Sequence, residues 1–253
     1  MNVNHSLILG RRALREALRT PDSLIPTLFI PLFFLVVNVG QAARIFPTEG
    51  TAFLQGQNYA AFQLPSSLLL AASFGSAALY LVEEIEGGYF DKLRATPISR
   101  VSIIVGRLYA ELIKSVVIAS VMVAIALPFG VRIKSGVLGF GVLVIMIALW
   151  AMVFSGFMQL IALKTRSAAA TNAGSLVFFP LLFLTPSFVP RPLLTRPMEI
   201  AATINPVTYI MEAARSLILD GFDWAILGRG FLVVAAAAAL MMTLSVRLIN
   251  NYD

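Results

Sequence analysis

The sequence predicts an all-α integral membrane protein, and three observations carry that prediction. The 253 residues are 58% apolar and 13% charged, whereas a soluble domain runs roughly 45–50% apolar and about 25% charged. Mean hydropathy is +0.86. The apolar residues also gather into long runs, and a helix needs about 20 of them to cross a hydrocarbon core. Six runs qualify, at about 24–43, 59–82, 101–129, 137–163, 171–189 and 225–248. They form a single domain over 1–253, and six spans place both ends of the chain on one side.

Lys and Arg decide which side that is. Arg11, Arg12, Arg15 and Arg19 precede the first run, Lys92, Arg94 and Arg100 follow the second, Lys164 and Arg166 follow the fourth, and Arg247 closes the last. The opposite loops spread Arg44, Arg132, Lys134, Arg191, Arg196, Arg215 and Arg229 over more residues. The denser side is the inside, so both termini are expected in the cytoplasm of a multi-pass cell (inner) membrane protein. The net charge of +6 then reflects cytoplasmic loops, with no call for nucleic acid. The absence of cysteine excludes disulfides and thiolate metal sites, and the lone His5 lies in the N-terminal tail.

The elements follow in order. Residues 5–20 read as an interfacial amphipathic helix, because Leu7, Leu14 and Leu18 project within about 40° of one another at about 100° per residue. Arg12, Glu16 and Arg19 lie opposite, so the leucines are expected in the headgroup boundary and the arginines toward anionic lipid. Pro26 and Pro31 in span one and Pro65 in span two are expected to shape those helices. Span one is longer than a signal-peptide core and Gln41-Ala42-Ala43 is a poor cleavage site, so it reads as a retained span.

Residues 83–100 form a polar island between two apolar runs, with Glu83, Glu84, Glu86, Asp91, Lys92, Arg94 and Arg100. Residues 83–95 suit a short helix, bent near its start by Gly87-Gly88 and ended by Thr96-Pro97, since the residue before proline avoids helical geometry. Pro97 or Ser99 then opens span three. The product is an exposed, rigid elbow. Its carboxylates could bind a divalent metal or transfer protons. No histidine, second carboxylate cluster or nucleophile accompanies them, so no metal or catalytic residue is assigned.

Within span three, Glu111 and Lys114 share a helix face. They form a possible intramembrane polar pair, although both could snorkel toward the nearer surface. Residues 190–224 are partly apolar and are broken at Asn205-Pro206. Glu199, Glu212 and Arg215 argue against a lipid-facing span there, so two short re-entrant or surface helices are expected. No Gly-x-x-x-x-Gly-Lys-Ser/Thr loop for a phosphate occurs, nor a zinc-protease or Gly-x-Ser-x-Gly motif. The chain itself therefore holds no cofactor and is no enzyme.

Several of these segments resemble the type-2 ABC transporter permeases, the group of daunorubicin-resistance-like, polysaccharide and lipid exporters. Glu84, Glu86-Gly87, Leu93 and Thr96-Pro97-Ile98-Ser99-Arg100 are similar to that family's cytoplasmic loop, with a departure at Gly88, where threonine is usual. Asn205-Pro206-Val207-Thr208-Tyr209, with Glu212, Ala213 and Arg215, resembles its segment before the last span. Phe183–Pro190, Arg19-Thr20-Pro21 and Pro31 match further family turns, so the resemblance covers nearly the whole chain.

It implies that the elbow is a coupling helix docking a separate ATPase subunit that binds ATP and Mg. Glu84, Glu86, Gly87, Leu93, Thr96, Pro97 and Arg100 would make that contact, and Lys164 and Arg166 a smaller one. Asn205, Pro206, Tyr209, Glu212 and Arg215 would close an outer gate. Six spans are half a pathway in this family, so a second permease, identical or paralogous, is implied. The expected function is the transmembrane subunit of an ATP-driven exporter of an amphipathic, lipid-like or drug-like substrate working by alternating access. The alternative is a stand-alone secondary transporter or channel, although matched broken helices in inverted repeats are not evident. A membrane enzyme would have to use Glu83, Glu84, Glu111 and Glu212, which share no evident site.

Overall fold

The computed structural model describes residues 8–15, 21–74, 77–96 and 99–250. Among them no strand occurs. A short helix α1 over 8–15 precedes α2 (Pro21–Ala42), α3 (Tyr59–Ser73), α4 (Ala77–Glu86) and α5 (Tyr89–Arg94). There follow α6 (Arg100–Ala126), α7 (Gly136–Thr165), α8 (Ala168–Ser175) and α9 (Phe178–Phe183). The chain closes with α10 (Arg196–Ile204), α11 (Pro206–Leu219) and α12 (Trp224–Asn250).

Five segments are long and apolar enough to cross a membrane: Ile25–Ala42, Tyr59–Glu86, Val101–Phe129, Gly136–Thr165 and Trp224–Ile249. The expected run at 171–189 is the exception. It resolves into α8 and α9, which with their junction form one shorter apolar stretch, Ala168–Phe183. At about 1.5 Å per residue this stretch falls short of a roughly 30 Å hydrocarbon core. The sequence gives the cause: Pro180 and Pro186 fall inside the apolar run and Pro190 follows it directly, and a proline removes a helical donor.

Helix α7 is the hub. It is apolar all round, and Leu143, Ile147, Trp150, Ala151, Phe154 and Met158 are buried among α3, α4, α6, α11 and α12. A helix with no polar face suits the core of a bundle or a membrane span.

The prolines expected to kink the first spans do not break them: Pro26 and Pro31 lie inside α2, and Pro65 inside α3. The interruption falls at Phe74, with φ −91° and ψ 62°. It is repaired from two sides. The Thr27 hydroxyl of α2 donates to the Phe74 carbonyl at 3.2 Å. The buried Trp150 indole donates to Ser73 Oγ at 3.0 Å, and Ser73 donates to Leu69 O at 2.9 Å.

At the far end of α3, Asn58 caps the helix by accepting from Ala61 N and donates to Phe129 O at 2.7 Å. Gln57 donates to Ile218 O at 2.7 Å and accepts from Arg132 N at 2.9 Å. Three connections are thereby laced into one end of the bundle.

Removing the Ser73 hydroxyl leaves the Trp150 N–H buried without an acceptor. Ser73→Ala is expected to cost about 1–3 kcal/mol, whereas Ser73→Ala paired with Trp150→Phe, which removes both partners, recovers part of that loss. Thermal unfolding of the purified chain and its variants in detergent measures both.

Candidate functional site

Two charged assemblies stand at opposite ends of the bundle. The first centres on Glu84, in the last turn of α4. The polar island is organised differently from the expected single helix over 83–95: Glu83, Glu84 and Glu86 belong to α4, which runs on to Glu86. Gly87 and Gly88 then form a turn, with Gly87 N donating to Glu83 O at 2.8 Å and Gly88 N to Ile85 O at 3.1 Å. Gly88 has φ +68°, where a side chain is strained, so glycine at this position, where the family has threonine, is what the turn demands. Helix α5 follows for six residues, and Thr96 ends it by donating its hydroxyl to Leu93 O at 2.6 Å.

Glu84 is buried and takes two arginines. Arg12 Nη2 of α1 reaches Oε1 at 3.2 Å, and the buried Arg107 of α6 bonds Oε2. The Arg12 guanidinium also lies 4.2 Å above the centre of the Tyr89 ring of α5, a cation–π contact. Phe90 and Leu93 are buried, and Leu93 shares a small cavity with Leu9, Ile103 and Arg107. One carboxylate thus ties α4 to α1 and α6, and its arginine clamps α5.

This placement changes the expected roles. Arg12 faces a protein carboxylate where anionic lipid was expected. Helix α1 meets the bundle through Leu9 and Gly10; a Cβ at Gly10 would lie 3.0 Å from Gly106 O and 3.1 Å from Tyr109. Leu14 is half-buried, while Leu7, Leu18 and Arg19 lie outside the described residues. Glu84 and Leu93 turn inward, whereas Glu83, Glu86, Gly87, Lys92 and Thr96 are exposed.

Pro97 also falls outside the described residues. Residue 100 opens α6, whose cap is Ser99, accepting from Ser102 N at 3.2 Å. Lys164 and Arg166 are exposed at the end of α7, where Arg166 takes φ +50° and its N–H donates to Ala162 O. Arg107 was not singled out in the sequence. Its spacing from Glu111, one helical turn along the same face, was the available signal.

The second assembly surrounds α11. The break at Asn205-Pro206 is built as expected, with Asn205 capping α11 by accepting from Val207 N at 3.0 Å and Pro206 at the first helical position, where its missing N–H costs nothing. Asn205 also donates to Leu181 O at 2.5 Å, and Tyr209 donates to Thr203 O at 2.8 Å. Yet α11 is no surface helix: Val207, Ile210, Met211, Ala214, Leu217 and Ile218 are wholly buried. Only α10 is largely open to the surroundings.

Glu212 receives a two-pronged bond from Arg191, at 3.0 and 2.8 Å, and that guanidinium lies 5.3 Å from the Tyr209 ring. Arg215 is 7% exposed; its Nε donates to Phe62 O at 3.2 Å and its guanidinium sits 3.6 Å over the Phe62 ring. Burial pushes its pKa down to about 10, with Glu212, Tyr59 and Asp220 acting in the opposite direction. It therefore remains charged at neutral pH.

Glu111 and Lys114 bond each other at 2.7 Å with side chains 5% exposed. They are held inside the bundle and do not reach for the surface. Among the described residues no group of three or more carboxylates or histidines could hold a metal ion.

The chain belongs to the ABC-2 type transporter family, whose model matches residues 5–219. It is also similar to the daunorubicin resistance ABC transporter permease protein DrrB1 of Streptomyces coeruleorubidus, with 25% identity over 243 residues, covering 95% of this chain and 84% of the relative.

The Glu84 node makes a sharp prediction. Glu84→Gln takes from the buried Arg107 the carboxylate that bonds it from α4 and is expected to cost up to about 3–5 kcal/mol. Arg12→Ala is expected to cost no more than about 1 kcal/mol, because the Arg12 side chain is 43% exposed. Thermal unfolding in detergent separates the two; equal losses would contradict the inward assignment of Arg107.

Proposed function

We propose that this chain is the transmembrane subunit of an ATP-driven exporter, with a separate ATPase docking at the Glu84 end. One observation carries the reading: in a chain of the ABC-2 family, a stiff elbow of α4, the Gly87-Gly88 turn and α5 projects exposed charges while its inner face is tied to α1 and α6. Such an elbow transmits a push as tilting of α4 and α6. The chain carries no phosphate loop, so the energy has to arrive from another subunit that binds ATP and Mg.

On this reading the docking face is Glu83, Glu86, Gly87, Lys92 and Thr96, with Lys164 and Arg166 beside it. Glu84, Leu93 and Arg107 brace that face from behind. Six crossings, with both termini cytoplasmic in the inner membrane, fit the chain path. Helices α8 and α9 make the short sixth crossing, because Ser167 follows the end of α7 and Phe188 is already bonded to Tyr59 at the other end of the bundle, at 2.8 Å. Helices α10 and α11, hinged at Asn205-Pro206, close the outer side.

A second permease, identical or paralogous, completes the path. The exposed Phe29 and Phe33 of α2, stacked with centroids 6.0 Å apart, suit lipid or that second copy. The relative's name speaks of daunorubicin resistance, which supports a drug-like amphipathic cargo.

The test is co-expression with a candidate ATPase in proteoliposomes. Glu86→Lys and Lys92→Glu alter exposed charges, so both variants are expected to reach the membrane intact, yet to lose ATP-dependent drug transport and ATPase co-purification. Undiminished transport in both variants removes the docking role. Transport by the chain alone on an ion gradient favours a secondary transporter instead.

A further inference from the structure

A cavity of about 340 Å³ opens at the bundle end opposite Glu84, where the loop after α9 meets α11 and α12. Its charged lining is Arg191, Glu212, Arg215, Asp220 and Arg229. These charges do not cancel. Arg191 and Glu212 neutralise each other through two hydrogen bonds. Arg215 and Arg229 add two positive charges to the lining against Asp220, which makes no ion pair with either.

Neither arginine has a counter-anion of its own. Arg215 is 7% exposed, and its Nη2 is buried with no hydrogen-bond acceptor. Arg229 is exposed and makes no ion pair among the described residues. Burial pushes the Asp220 carboxyl above its usual pKa, with Lys134 pulling it the other way. A cationic cavity closed on one side by apolar helices concentrates anions, and a guanidinium fork matches the oxygens of a phosphate or carboxylate. The space is also ample, since a water molecule occupies roughly 30 Å³.

We infer that this cavity is a binding site for an anionic headgroup, a phosphate or carboxylate, held between Arg215 and Arg229. Arg191 forms a wall and is kept from competing by Glu212. The site does not depend on how transport is energised, because all of its groups lie on this chain. It would engage a lipid headgroup or the anionic end of a cargo as either leaves the bundle.

The experiment uses the full chain in nanodiscs of a zwitterionic lipid. One arm adds inorganic phosphate and the other replaces part of the lipid with phosphatidylglycerol. Thermal unfolding is followed in both arms, and native mass spectrometry counts the retained anion. Wild type is expected to gain stability with at least one probe. Arg229→Gln, at an exposed position, is expected to weaken that response about tenfold in apparent affinity, and Arg229→Lys to restore part of it.

Arg132→Gln, a basic residue outside the cavity lining, serves as control and is expected to behave as wild type. A phosphate response assigns a free oxyanion or a cargo phosphate. A response to phosphatidylglycerol alone assigns a lipid headgroup. No response to either probe, or equal loss in Arg229→Gln and Arg132→Gln, overturns the site.

Discussion

Inside an apolar layer no water is present to satisfy a broken helix, so every carbonyl or N–H released by an interruption must find its partner within the protein. This constraint organises the bundle. Where α3 stops at Phe74, a threonine of α2 supplies a hydroxyl to the freed carbonyl and a tryptophan of α7 bonds the last serine. Where α10 gives way to α11, Asn205 caps one helix with its oxygen and reaches Leu181 O with its nitrogen. The turn after α9 is closed by Ser187 donating to Leu182 O at 2.9 Å, and the Tyr59 hydroxyl takes up Phe188 O. Thr27, Trp150, Tyr59 and Asn205 each reach a group on another segment, so the breaks bind the helices to one another.

The same constraint governs charge. A lone charge in such a layer is costly, and each buried charge here has a specific answer. Glu111 and Lys114 neutralise each other within one helix. Glu84 and Arg107 do so between two helices, with Arg12 completing the set. Arg215 uses an aromatic face and a backbone carbonyl. The Glu84 set fixes where α1, α4, α5 and α6 stand relative to one another.

What the sequence shows and hides follows from locality. Long apolar runs, the cap at Ser99 and the Asn205-Pro206 break depend on neighbouring residues, and they stand where the residues place them. The break at Phe74 was not singled out although Gly75 follows it, because a lone glycine inside an apolar run is tolerated and the supports, Thr27 and Trp150, lie far along the chain. Pro65, expected to shape its helix, lies inside α3, and the break falls farther along. The burial of α11 was hidden for a similar reason, since Glu212 and Arg215 look incompatible with a core until Arg191 and Phe62 are seen beside them. Arg107 passed unnoticed because its partner lies on another helix.

Gly88 joins these local and distant effects. The turn between α4 and α5 needs a residue with positive φ, and glycine meets that need without a side chain. A threonine there would strain the backbone, or would demand a different turn and so a different angle between the two helices. That angle sets where the exposed charges of the elbow point, while the Arg12 contact with both Glu84 and Tyr89 prevents the two helices from swinging apart. A glycine hinge alone would bend under load. Braced by Arg12 across its inner face, it becomes a fixed corner between α4 and α5.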